Sequence, residues 1–272
     1  MVDSVLAELS ATLTSLKNRE YLQPTIIEFH KKIEELKTKG IEEKEAYILV
    51  LDYLTEIMRK SQENVEKIIQ KKIKKGEIKD ASQSRVAVAG LNFQGIIVYA
   101  LVKNILLGNL PKIIVALRPK QSKHYKEILE KYTEIIVGDE IQKPDVDIMI
   151  FDPNKKDTPV IIYSCKTSLR ERAGQTYRWK LLYEMATSKC EYIEKSETCP
   201  IKKYKISFSG EREVLVGFIT ADFYDEISSP QLRGMLSFFD FSYVSKPNVK
   251  LGKIKNLSKI IEDLNKIFGT RE

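Results

Sequence analysis

Histidine is almost missing from this chain: 272 residues contain two, His30 and His124. Zinc hydrolases, histidine-metal nucleases and Ser-His-Asp hydrolases all need imidazoles placed at their chemistry. Both histidines stand in amphipathic helical contexts with no such partner set, so each is read as an ordinary helix position. Cysteine is scarce too. Cys165, Cys190 and Cys199 are odd in number and spaced for neither a zinc knuckle nor a disulfide framework, which implies reduced thiols in a cytosol. No apolar run is read as reaching the length of a bilayer span, and Met1, Val2, Asp3 and Ser4 lack a basic region before an apolar core. A cytoplasmic protein with no membrane partner is expected. Internal repeats and low-complexity tracts are also lacking.

Basic charge, by contrast, is in excess. Lys plus Arg number 45 against 38 for Asp plus Glu, a formal net charge of +7. That suits an anionic partner, and equally a surface rich in solubilising lysine. The length allows one large domain, or a core domain with an appendage, and a sizeable core in either case.

The chain changes character near residue 80. Before it, apolar residues recur at helical spacing: Val5, Leu6, Leu9, Leu13 and Leu16, then Ile26, Ile27, Phe29, Ile33 and Leu36 after Pro24, with Gly40 as a helix stop. A third helix is expected over residues 46–58 and a fourth through Val65, Ile68, Ile69 and Ile73, closing on lysines that include Lys71 and Lys72. Those lysines complement the helix dipole or, alternatively, meet a DNA backbone. Residues 1–80 thus read as a small all-α N-terminal domain, and residues 81–272 as a separate catalytic and recognition domain. There the pattern predicts a long helix over 84–107, strands at 113–117 and 135–137, a basic helix over 122–132 and a helix over 171–188. A buried strand at 214–221, another at 239–244 and a closing helix over 254–268 complete an α/β core with a mixed central sheet flanked by helices.

Residues 144–184 carry the chemistry. Pro144, Asp145, Val146 and Asp147 open an apolar strand, a Pro-bounded turn follows, and a second apolar strand runs into Ser164, Cys165 and Lys166. Such a hairpin sets a carboxylate and an ammonium at the same end of a sheet. The carboxylate offers hard oxygen to Mg²⁺, the lysine orients or helps deprotonate a water, and Arg170 and Arg172 come within reach of nucleic acid.

This order of motifs resembles the PD-(D/E)XK nuclease superfamily. More closely, Ser-Cys-Lys-Thr-Ser-Leu-Arg-Glu-Arg over residues 164–172 resembles the CCGG-recognising type II restriction endonucleases, and the whole chain is similar to the BsaWI type among them. The resemblance implies a restriction-endonuclease-like fold and Mg²⁺-dependent hydrolysis of double-stranded DNA to 5′-phosphates. It also implies a homodimer, or a higher oligomer, matched to a palindrome with a CCGG core. It assigns the metal-binding aspartate to Asp145, with Asp147 as a substitute two residues on, and the catalytic lysine to Lys166. The backbone carbonyl of Cys165 is a further metal ligand. In that group a helix glutamate replaces the acid lost at Ser164. Here the first expected positions are Trp179 and Lys180, so Glu184, one turn on, is the candidate. Gln94 stands where many such nucleases carry a glutamate directed at the metal water, in a first-helix pattern that includes Arg85, Gly90 and Phe93. Arg170, Glu171 and Arg172 form the base-reading element, arginine suiting guanine and glutamate the cytosine amino group. Gln175 and Arg178 add DNA contacts. A junction-resolving nuclease and a non-catalytic DNA-binding protein on the same fold are the alternatives.

Overall fold

The computed structural model describes residues 2–168, 170–188, 196 and 198–269. The side chains of residues 2, 3, 123, 124, 170–172 and 200 lie outside that description, as does Cys190 altogether.

Four helices form the N-terminal layer: α1 (Val2–Lys17), α2 (Gln23–Thr38), α3 (Glu43–Leu49) and α4 (Leu54–Lys74). Pro24 sits in the first turn of α2 and Gly40, at φ +85°, lets the chain leave the helix with Ile41 N–H bonded back to Leu36 O at 3.3 Å. The helix expected over 46–58 is broken. A 3₁₀ turn, Val50–Tyr53, separates α3 from α4, and α4 absorbs the fourth expected segment. The reason lies far off in sequence: the Ser245 hydroxyl donates to Leu51 O at 2.8 Å and accepts from Thr55 N–H at 3.3 Å. It thus sits inside what would be an ordinary helical i to i−4 bond, an insertion that interrupts a helix.

Helix α5 (Ala81–Leu106) begins on an Asp80 cap, whose carboxylate accepts from Gln83 N–H at 3.0 Å. Contrary to the sequence expectation, it is long and apolar enough by length and composition to cross a bilayer, but 67% of its most apolar window is buried inside the fold. It packs against α1, α4 and two strands of the main sheet.

That sheet has six strands in the order β1 (Ile114–Leu117), β4 (Ile148–Phe151), β5 (Val160–Lys166), β7 (Val214–Thr220), β8 (Phe241–Val244) and β9 (Lys255–Asn256). Its β1–β4 and β4–β5 pairs are antiparallel and the rest parallel. Gly217 faces Tyr163 in the β5–β7 register, where a Cβ would lie 2.2 Å from the tyrosine ring. Only glycine lets that ring lie across the strand. A second sheet, β3 (Glu140–Gln142), β2 (Ile135–Val137) and β6 (Ile206–Phe208), was not expected beyond β2. The remaining helices are α6 (Lys123–Thr133), α7 (Arg170–Ala186), α8 (Pro200–Lys203), α9 (Pro230–Leu236) and α10 (Lys259–Phe268). The closing helix starts five residues later than the periodicity suggests, because Lys255 and Asn256 extend the sheet beside β8.

One buried apolar cluster runs through the molecule, from Val5, Leu9 and Leu51 through Phe93 and Ile97 to Ile161, Phe218 and Leu264. The helical layer is also bonded to the sheet side: Thr55 Oγ1 donates to Ala221 O at 2.8 Å, and buried Asp52 accepts from Ser258 N–H at 2.7 Å.

Candidate active site

Strand β5 carries six buried residues and ends at Lys166, between antiparallel β4 and parallel β7. An ammonium there would be costly unless paired. Its partner comes from just before β4: Lys166 Nζ lies 2.8 Å from Asp147 Oδ2. The same oxygen accepts from Cys165 N–H at 2.8 Å, with Ser164 Oγ at 3.5 Å. Gln94, on α5, donates Nε2 to Asp147 Oδ1 at 2.7 Å. The other end of that amide, Oε1, is buried with no hydrogen-bond partner among the described residues. Asp147 is 8% exposed, whereas the Asp145 side chain is 56% exposed and stands 4.0 Å from Lys166. Asp145 and Asp147 open, with Gln94, Gly90 and Arg118, onto a cleft of about 710 Å³.

The structure therefore brings together Asp147, Lys166 and Gln94, with Asp145 at the rim. Phe93, one residue before Gln94, is wholly buried core, and Arg85 is tied to Glu66 by contacts of 2.5 and 2.9 Å. The Cys165 thiol is buried, and burial, reinforced by the Asp147 carboxylate, pushes its pKa well above the usual range.

Glu184 is not brought to this cluster. Helix α7 starts beyond the active end of β5, and Glu184 follows Arg170 by fourteen residues, about 21 Å of helix. There it pairs with Lys180 at 2.5 Å, and Lys180 also bonds both oxygens of Asp240 at 2.8 Å. Burial alone would lower the Lys180 pKa, but its bonds to Asp240 and Glu184 outweigh it and raise the group. Asp240 in turn accepts from Val216 N–H at 2.7 Å. Val216 is level with Ile162, four residues and about 13 Å along the strand from Lys166, and on the opposite side of β5 from Asp147. Glu184→Gln is accordingly expected to change the cleavage rate by less than about threefold, the value of an exposed ion pair. A loss of two orders of magnitude in single-turnover cleavage would return Glu184 to the active centre.

Arg170, Glu171 and Arg172 form the first turn of α7, and their side chains lie outside the described residues. Gln175 and Arg178 are both exposed, three residues apart on one face, while Ala173 and Thr176 turn inward. Of the two candidate lysines, Lys71 and Lys72, the second is engaged: Lys72 pairs with Glu20 at 2.9 Å and stands over the Tyr21 ring at 4.9 Å. Lys71 is exposed and lines a basic groove with Lys67, Lys74, Lys75 and Arg59. Sequence reasoning missed the parts played by Ser164 and the Cys165 amide in holding Asp147, and missed Arg118 entirely. Nothing local marks Arg118, which reaches the site only because β1 pairs with β4.

The sequence profile of the family described as "BsaWI restriction endonuclease type 2" matches residues 121–268, which is 148 of 272 residues and includes the hairpin, Lys166 and α7. The chain belongs to this BsaWI restriction endonuclease family. It is a type II site-specific nuclease. No curated protein matches it. The restriction endonuclease PspGI, solved in complex with substrate DNA, is similar at 15% identity over 90% of this chain and 92% of its own, with a TM-score of 0.47, too distant to add to the assignment.

Proposed function

We propose that this BsaWI-family chain is a Mg²⁺-dependent endonuclease that cuts double-stranded DNA at a short palindrome with a CCGG core and leaves 5′-phosphates. The observation that carries the catalytic part is the convergence of Lys166, Gln94 and the Cys165 amide on one buried carboxylate, Asp147. We give Asp147 the main role, ahead of Asp145, because three donors fix its orientation while Asp145 points largely into solvent. Preorganised groups of this kind act on a transition state without reorganising.

The available donors suit magnesium. They are oxygens throughout: the carboxylates of Asp147 and Asp145, and Gln94 Oε1, whose buried lone pairs lack any partner among the described residues. Magnesium is commonly held by one or two carboxylates and keeps its waters, and Asp147 and Asp145 supply that number at the cleft. The Cys165 carbonyl is a further candidate ligand. When bound, the ion would offset the charge that develops on the phosphate and the leaving 3′-oxygen. Lys166, as an ammonium, donates a hydrogen bond that orients the attacking water and offsets charge on the phosphate. Asp147 keeps that ammonium in place, and Gln94 keeps Asp147 from rotating. A neutral amide at position 94 adds no charge to a second metal, so a single strongly held ion is the simpler reading.

Arg170, Glu171 and Arg172 read the G·C pairs of the core, and the exposed Gln175 and Arg178 extend the contact along α7. Lys71, exposed on its groove, supplies a backbone contact in preference to Lys72. A palindrome presents two equivalent half-sites, so the working form is a two-fold dimer. Residues 1–80 are proposed as a helical support unit beneath the catalytic part. Because Leu51, Thr55 and Asp52 are bonded or packed against the sheet side, deleting these residues is expected to leave an aggregation-prone remainder, read by size-exclusion chromatography and thermal unfolding. A folded, monodisperse truncation would show that the two parts are independent.

Incubation with plasmid DNA and Mg²⁺ tests the whole reading. Discrete fragments whose sequenced ends share a CCGG core are expected. Cutting confined to branched DNA, or binding without cutting, would favour the junction-resolving or non-catalytic alternatives.

A further inference from the structure

The cleft that holds the two aspartates has a basic lip with no assigned part. Arg118 follows β1 and is the N-terminal neighbour of a short 3₁₀ turn, Pro119–Gln121. Its backbone is left-handed, φ +48° and ψ +59°, a conformation that L residues other than glycine, asparagine and aspartate rarely adopt. It is held there by the site itself, since Arg118 N–H donates to Asp147 O at 2.8 Å. The result is a residue anchored to the main chain of the central carboxylate and lining the same cleft.

The Arg118 side chain, half-buried, has no ion pair or side-chain hydrogen bond among the described residues, although Asp145 and Asp147 line the same cleft. Arg19, in the turn after α1, lies close enough for the charges to repel, and burial first and Arg118 second lower its pKa. Arg19 likewise makes no ion pair or side-chain hydrogen bond among the described residues. The strained backbone of Arg118 and the repulsion between it and the exposed Arg19 cost stability, and both would gain from an anion nearby, whose oxygens match the arginine fork. Resting on the nuclease reading, we infer that Arg118, assisted by Arg19, grips a phosphate of the cut strand next to the scissile one and thereby positions the scissile phosphate over Asp147 and Lys166. In this reading Arg118 is a DNA-binding residue that carries no base information.

The test uses the full-length protein, a fluorescent duplex with a central CCGG, and Ca²⁺ in place of Mg²⁺. Arg118→Gly removes the fork while suiting the left-handed backbone, and Arg118→Asn is a second variant that tolerates the same φ. Either should keep or raise the thermal midpoint. Affinity should fall by about tenfold or more, and the slope of log affinity against log salt should become shallower by about one, the signature of a lost phosphate contact. Arg118→Lys should keep the slope and recover only part of the affinity, and Arg19→Ala should give a smaller loss in the same direction. The inference is overturned if folded Arg118→Gly or Arg118→Asn binds within twofold of the parent with an unchanged slope, since a purely structural residue would leave the slope alone. A parent protein that neither binds nor cuts any duplex would overturn the nuclease reading as well. A parent that cuts normally beside an unaffected variant overturns this inference alone.

Discussion

Asp147→Ala and Lys166→Ala are each expected to lower single-turnover DNA cleavage by about a thousandfold or more, the scale on which preorganised charge at a phosphoryl site operates. Specific binding in Ca²⁺ should survive, because neither side chain reaches a base edge. The two should be strongly non-additive, since Asp147 holds the Lys166 ammonium at 2.8 Å and removing either member disables the pair. Asp145→Ala should cost less, about tenfold to a hundredfold, because its carboxylate is largely in solvent and 4.0 Å from Lys166. Asp147 also satisfies the Cys165 amide and Gln94, so alanine there could loosen β5. Asp147→Asn keeps the shape and one acceptor and should be as inactive, but its NH2 must face either Gln94 or the Cys165 and Lys166 donors, so its thermal midpoint should fall while the protein still folds. An inactive Asp145→Ala beside an active Asp147→Asn would pass the main role back to Asp145.

The second large effect concerns sequence choice. Replacing Arg170 and Arg172 together by alanine should erase the preference for a CCGG core over random DNA. A bidentate arginine–guanine contact carries about 1 to 3 kcal/mol of discrimination, so the loss per half-site is of order two contacts. The first turn of α7 follows Lys166 by only a few residues, which keeps the reading element within one or two base pairs of the cut. Competition binding against random duplex, with sequencing of cleaved ends, measures it. A preferred site lacking adjacent G·C pairs, or a preference that survives the double substitution, would refute the assignment. Lys71→Ala, by contrast, should weaken binding equally on all sequences.

Much of the architecture was legible in the chain because it rests on local periodicity. Apolar spacing near 3.6 marked α1 and α2 to within a few residues, and continuous apolar runs marked β5 and β7, strands covered on both faces. The pairing of β4 with β5 and the arrival of Lys166 at its end were equally local, since a short hairpin needs no distant partner. Charge spacing after the lysine pointed to nucleic acid in the same way.

What stayed hidden depends on contacts between residues far apart in sequence. The second sheet is built of three-residue strands whose pairing, Ile135 with Phe208 for example, spans some seventy positions and leaves no local pattern. The break between α3 and α4 exists because Ser245, nearly two hundred residues away, inserts its hydroxyl into the helix. Asp145 and Asp147 look interchangeable two residues apart, and only the packing of Gln94 from α5 against the strand decides which is clamped. Glu184 has the right chemistry, but α7 turns back along the sheet and gives it to Lys180. Arg118 is an unmarked residue until β1 pairs with β4 and its amide meets the carbonyl of Asp147. Residue type and spacing determined the fold class and the kind of chemistry, because both follow from local geometry. Where each carboxylate, arginine and glutamate lies relative to Lys166 was decided by the tertiary structure, because orientation and distance arise only when separate elements pack.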